Sequence, residues 1–198
     1  MKPAIFACVL LSVSSASLAN PVPSSVDPAS LPAFKQTGQG KYLSSADAFA
    51  VLTDDPDILF VDVRDPVEVS MTGRPMPVDA VVPVRVQQIG PGTLPDPSRL
   101  SLNPDFVPML RALVTAQGRS RDDMIIVTCG SGRRSAQASR ILEHAGFSDV
   151  WHVTDGYEGD DRPGFNAQHA WRDAGLPWTD APVSPSYWQL LLADEAQP

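Results

Sequence analysis

Cysteine, positive charge and histidine are all scarce in this sequence, and each scarcity excludes something. Two cysteines in 198 residues are too few for a disulfide-stapled scaffold. Fifteen Lys and Arg against 23 Asp and Glu leave a formal charge of −8, which argues against a nucleic-acid binder, whose surface needs a basic face. The three histidines, His144, His152 and His169, lie far apart in sequence and form no metal-ligand cluster, so each reads as an ordinary core or surface residue. No internal repeat is present, and no apolar run reaches the roughly 20 residues of a membrane span. What remains is a hydrophobic fraction of 43% and a charged fraction of 19%, the composition of a globular chain with one domain and extensions.

The amino-terminal stretch does not read as part of that domain. Met1-Lys2 gives a short positive start, Ala4–Val13 is an apolar run of signal-peptide length, and Ser17-Leu18-Ala19 places small residues where a signal peptidase reads. Cys8 sits inside the apolar run with too little ahead of it for a lipoprotein signal. The expectation is export, with 1–19 removed, no membrane anchor left, and a periplasmic or secreted protein as the result. Cys129 is then the only thiol of the mature chain. A single cysteine in an oxidising compartment is either a small buried residue or a thiol kept single for its chemistry, and composition leaves both open.

Residues 20–40, rich in Pro and Ser, read as an extended linker, 41–180 as the folded domain, and 181–198 as a tail. From Lys41 onward strand and helix signals alternate, predicting an α/β fold with a mostly parallel sheet under helices. Ser44-x-x-Asp47 predicts a capped helix over Ser45–Leu52, and Ile58–Val63 a buried strand. Val81–Val86 predicts an edge strand, given Pro83. Asn103-Pro104-Asp105 predicts a helix start, with Phe106, Met109, Leu110, Leu113 and Val114 at helical spacing up to Gly118. Met124–Thr128 reads as a central strand, Ser135–Ala145 as a helix, Val150–Thr154 as a short strand, and Asn166–Ala174 as a further helix. The stretches 89–102 and 158–165 read as long loops, a common place for partner choice.

The chemistry concentrates in Cys129-Gly130-Ser131-Gly132-Arg133-Arg134, between the central strand and the helix that follows it. A tight loop there turns successive backbone N–H groups toward one centre, and the positive end of the helix dipole faces the same place. Gly130 and Gly132 permit the required backbone angles, and a sulfur at the centre is stabilised in its anionic, nucleophilic form. Arg133 and Arg134 add positive charge able to hold an anionic substrate.

Cys129-x-x-Gly132-x-Arg134-Ser135 after a buried strand resembles the active loop of the rhodanese-like sulfurtransferases. Upstream, Val61-Asp62-Val63-Arg64 followed by Glu68 resembles the family's Asp-Val-Arg strand end. Downstream, Asp155-Gly156-Tyr157 resembles its Gly-rich turn, and Trp171-x-x-Ala174-Gly175-Leu176-Pro177 its closing segment. The resemblance implies a central, mostly parallel five-stranded sheet flanked by helices on both faces. It also implies transfer of sulfane sulfur from a small anionic donor through a Cys129 persulfide to a thiol or cyanide, with no cofactor. Loop amides from Gly130 to Ser135 would stabilise the persulfide, and Asp62 and Arg64 would support the loop, Arg64 either touching substrate or forming a structural ion pair. The stretch Gly73–Ala80 departs from the family pattern by lacking its histidine.

Two other readings stand beside this one. Phosphatases of the same fold carry Cys-x5-Arg, whereas Arg134 closes Cys-x4-Arg here and residue 135 is Ser, so the loop encloses a smaller sphere. A non-catalytic sulfur carrier, or a module docking a periplasmic redox partner, is compatible with an exported single thiol. For the donor, Cys129-Gly130-Ser131-Gly132 resembles the mercaptopyruvate-using enzymes of the family, whereas the adjacent Arg133 and Arg134 resemble its thiosulfate-using single-domain members and favour thiosulfate, a small dianion.

Overall fold

In a computed structural model the described residues are 22–87, 100–160 and 169–181. The expected signal peptide 1–19, most of the loop 89–102, residues 161–165 of the second loop and the tail beyond Ala181 lie outside them.

Two short runs of continuous apolar residues, Leu59–Asp62 (β2) and Ile125–Thr128 (β7), are buried at every position, as strands covered on both faces must be. They pair in parallel with Leu59 opposite Ile125 and Asp62 opposite Thr128. Three more strands complete the sheet: Tyr42–Leu43 (β1), Ala80–Val81 (β4) and Val150–Val153 (β8). The order is β1-β8-β7-β2-β4, parallel throughout, with β7 in the middle. This is the expected five-stranded α/β arrangement.

Alternation along the strands divides the core. Leu59, Val61, Ile125 and Val127 face Phe106, Leu110 and Val114 of helix α3 (Phe106–Ala116) and Ala138 and Leu142 of helix α4 (Arg133–His144). Phe60 and Ile126 face the opposite way, toward Ala48 and Leu52 of helix α1 (Ser45–Asp54), Val69 of helix α2 (Pro66–Thr72), and Trp171. Helix α1 opens on Ser44, whose side chain accepts from the Asp47 N–H. Helix α2, not foreseen as an element, opens on Asp65, whose carboxylate accepts from the Val67 N–H, with Pro66 in the first turn.

Four local expectations are corrected. The strand over Val81–Val86 divides: β4 ends at Val81, and Arg85–Gln87 (β5) pairs antiparallel with Leu100–Leu102 (β6) away from the main sheet. Pro83, lacking an N–H, falls at the break. Helix α3 begins after Asp105, because Asn103 Oδ1 accepts from the Asp105 N–H and draws Pro104 into a turn instead. Of the helix expected over Asn166–Ala174, residues 166–168 lie outside the described set, and Trp171–Gly175 forms turns closed by Ala174 N–H to Ala170 O and Leu176 N–H to Trp171 O. The segment read as an extended linker is folded onto the domain from residue 22. It carries 3-10 turns at Pro28–Ser30 and Ala33–Lys35, and the Ser25 N–H donates to Tyr42 O. Phe34 lies under Arg133 of α4 and the Lys35 ammonium donates to Thr154 O just after β8, partners that an isolated linker lacks. Gly73, after α2, leads into a two-stranded ribbon of Arg74–Pro75 (β3) against Trp178–Thr179 (β9).

Candidate active site

Cys129 follows the last residue of β7, at the carboxyl end of the sheet where open α/β folds place their sites. Its loop is held from outside by its carbonyls. Cys129 O accepts from the Tyr157 N–H at 2.7 Å, and Gly130 O accepts from the N–H groups of Glu158 at 2.8 Å and Gly159 at 2.9 Å. The loop's donors are left over. Among the described residues, no backbone N–H from Gly130 to Ser135 donates to another protein group. These donors sit at the start of the twelve-residue helix α4, so they form a cradle for an anion backed by the helix dipole. The sulfur lies against that helix start: Cys129 Sγ donates to Ser135 Oγ at 3.6 Å. Cys129 is a free thiol and is fully buried.

Two glycines make the cradle sterically possible. Gly132 has φ of 82°, and a Cβ there would collide with the Thr154 carbonyl. Gly156 has φ of 72°, and a Cβ would come within 2.6 Å of Cys129 O and 2.7 Å of Ser131 N.

The arginines divide among different partners. Arg134 forms a bidentate pair with Glu68 of α2, with both N–O distances 2.6 Å and side chains 21% and 26% exposed. Burial works against the Arg134 charge, but Glu68, and after it the nearby Cys129, more than restore it and raise its pKa. Arg133 is exposed, its guanidinium 4.5 Å from the centroid of the Phe34 ring. Asp62 and Arg64 form a second pair, at 2.7 Å and with both side chains fully buried. Arg64 also donates to Gly73 O at 2.7 Å and Thr72 Oγ1 at 2.9 Å, and its guanidinium lies 4.5 Å from the Tyr157 ring centroid. With no exposed surface, Arg64 is a structural member that ties the strand end to Gly73 and the Tyr157 turn.

Several residues near the loop went unassigned in the sequence. Lys35 is buried, its Nζ donates to Thr154 O at 2.9 Å, and that nitrogen lies 3.2 Å from where a Gly132 Cβ would be. It comes from the segment read as linker, and nothing local distinguishes it. Glu68 carried a motif signal, but its pairing with Arg134 spans 66 positions. His152 is fully buried. Its Nε2 lies 2.9 Å from Lys35 O and its Nδ1 3.4 Å from Ser135 Oγ, which lies in turn beside the sulfur. Burial pushes its pKa down to about 4, so the ring is neutral at neutral pH. Burial likewise raises the pKa of Asp155, whose carboxylate accepts from the Ser45 N–H and hydroxyl.

Two cavities are lined wholly by described residues. The larger, about 790 Å³, opens at the amino ends of the strands among Asp54, Asp55, Asp122, Asp123 and Asp149, far from the loop. The smaller, about 370 Å³, has Ser131, Arg133 and Arg134 in its wall. Only the smaller touches the loop. Among the described residues no group of three or more His, Cys, Asp or Glu is placed to hold a metal ion, and no helix is long and apolar enough to cross a membrane.

Comparison with known proteins places this geometry. A sequence model described as the rhodanese-like domain matches residues 45–161. A tRNA uridine(34) hydroxylase of Salmonella paratyphi B is 30% identical over 125 residues, covering 63% of this chain and 29% of the relative. The chain thus matches less than a third of that relative's length. The crystal structure of Rv0390 from M. tuberculosis is matched at 28% identity with a TM-score of 0.54, over 71% of this chain and 98% of that one. A polysulfide-sulfur transferase homodimer of Wolinella succinogenes is matched at 23% identity with a TM-score of 0.44, over 72% and 80% of the two chains.

Proposed function

This chain belongs to the rhodanese-like family, and on that premise we propose that it is a sulfurtransferase carrying sulfane sulfur on Cys129, with thiosulfate as donor and cyanide or a thiol as acceptor. One observation carries the proposal: a buried free thiol set against a run of uncommitted backbone N–H groups at a helix start. Such a cradle favours negative charge on whatever sulfur occupies it, the terminal sulfur of a persulfide included.

The chemistry then runs in two displacements. The Cys129 thiolate attacks the outer sulfur of thiosulfate, a new S–S bond forms, and the donor's S–S bond breaks with its electron pair leaving on sulfite. The loop N–H groups stabilise the resulting persulfide anion. Cyanide attacks the terminal sulfur, thiocyanate departs, and the electron pair of the broken bond returns to Cys129. No outside oxidant or reductant enters.

Entry of the donor involves Arg134. A Cβ added to Gly130 would lie 3.1 Å from Glu158 Oε2, 3.4 Å from Arg134 Nη2 and 3.5 Å from Glu68 Oε1, so the ion pair and a second carboxylate cover the loop. A dianionic donor takes the place of Glu68 on the Arg134 guanidinium, exchanging one bidentate partner for another. The amino-terminal apolar run favours action outside the cytoplasm, with a periplasmic thiol or protein as acceptor.

The reading is tested by thiocyanate formation from thiosulfate and cyanide. The intact chain turns over and Cys129→Ser does not. Absence of transfer from thiosulfate and from mercaptopyruvate would sink the assignment.

A further inference from the structure

The cavity of about 370 Å³ beside the loop is lined by Phe34, Arg85, Ser131, Arg133, Arg134, Gln137 and Arg140, so four of its seven lining residues are arginines and none is acidic. This stands against a chain whose formal charge is −8. Arg134 has Glu68 as a partner, whereas the other three are held by neutral groups. Arg85 donates to Gln137 Oε1 at 2.8 Å and Leu100 O at 3.0 Å, Arg140 donates to Gln36 O at 2.8 Å and Phe34 O at 3.2 Å, and Arg133 lies over the Phe34 ring. Among the described residues no carboxylate is within ion-pair distance of Arg85, Arg133 or Arg140. Arg85 and Arg140 are held in place by hydrogen bonds, and among the described residues no carboxylate pairs with the three, which is the arrangement of a preformed anion site.

Resting on the sulfurtransferase reading, we propose that this groove binds the anionic end of the sulfur acceptor, a small organic thiol bearing two or more carboxylate or phosphate groups. The volume suits a small molecule, and an ion as small as thiosulfate leaves most of it empty. Guanidinium groups match carboxylates and phosphates two bonds at a time, so several of them select for multiple charge. Ser131, two residues after Cys129, is in the groove wall, so the groove adjoins the loop that carries the sulfur. In the transfer, the acceptor thiolate attacks the outer sulfur of the Cys129 persulfide anion. The bond to Cys129 breaks with its electron pair on Sγ, and the acceptor departs as its own persulfide anion.

The test separates binding from transfer. Calorimetric titration of the full chain with succinate, a dicarboxylate without sulfur, gives one-site binding. The affinity drops about tenfold or more in the Arg85→Gln/Arg140→Gln double variant and is recovered in large part by Arg85→Lys/Arg140→Lys, which keeps the charge. Arg111→Gln, on α3 and bonded to Ala145 O, leaves it unchanged. In turnover, the preference for mercaptosuccinate over neutral 2-mercaptoethanol falls by a similar factor in the double glutamine variant. No succinate binding, equal binding in that variant, or an unchanged acceptor preference overturns the proposal. Binding of a tRNA by the groove in place of the small dianion overturns it too. Because succinate titration needs no sulfur chemistry, its failure is distinct from failure of the Cys129 persulfide.

Discussion

Among the described residues two carboxylate–arginine pairs stand near the Cys129 loop, and they differ in one respect that decides what each can do. Asp62–Arg64 is fully buried and reinforced by Thr72 and Gly73, whereas Glu68–Arg134 is about a quarter exposed and lies over Gly130 of the loop. Removing a partner from the first strands a charge where no water can reach it. The second can exchange a side-chain carboxylate for an arriving anion at little cost. Similar chemistry thus serves as a strut in one place and, in the mechanism proposed above, as a gate in the other, and solvent access separates the two.

The largest expected effect breaks the strut. Arg64→Met leaves Asp62 uncompensated and lowers unfolding free energy by about 3–5 kcal/mol in urea denaturation. The double change Asp62→Leu/Arg64→Met restores most of that loss, since no charge is then stranded. A single variant close to wild type would erase the distinction between the pairs.

A second effect concerns the buried group that avoids charge altogether. The His152 pKa is lowered from 6.5 to about 4 in the folded chain, so the unfolded chain binds more protons between those values. Stability from this group is fully present above pH 6.5 and is lost as pH falls toward about 4, by about 3 kcal/mol in total. His152→Asn flattens that part of the pH profile, measured by denaturant titration at fixed pH steps.

The gate gives smaller and different signals. Arg134→Gln lowers kcat/KM for thiosulfate by about tenfold to a hundredfold through loss of the charge-assisted anchor. Glu68→Gln acts in the opposite sense, lowering KM for the dianion a few-fold by removing its competitor, and its stability shifts by no more than about 1 kcal/mol for so exposed a pair. If Glu68→Gln instead weakens donor binding, the carboxylate positions Arg134 and does not compete for it.

How much of this was legible in the sequence follows from the range of the interactions. Cys129 to Ser135 was readable because the strand, Gly132 and the helix start are contiguous; Gly130 needs no left-handed backbone, and Gly156, which closes on Cys129 O, lies too far along the chain to be read with them. The sheet was readable because Leu59–Val61 and Ile125–Val127 are apolar runs too short for anything but covered strands. Lys35 was not readable, since its environment is made by Thr154 and Gly132, more than 90 positions away. The arginine groove was hidden for the same reason: Arg85 and Arg140 come from separate elements and meet only once the sheet is built. The break at Pro83 shows the limit of pattern reading, because the apolar run continues through a residue that cannot donate to a ladder.

The central claim is that Cys129 carries sulfur, and intact-protein mass spectrometry tests it most directly. After exposure to thiosulfate and removal of excess donor, the chain gains the mass of one sulfur atom, which cyanide removes and Cys129→Ser never acquires. A chain that gains no sulfur from any donor, or gains it equally in Cys129→Ser, contradicts the account.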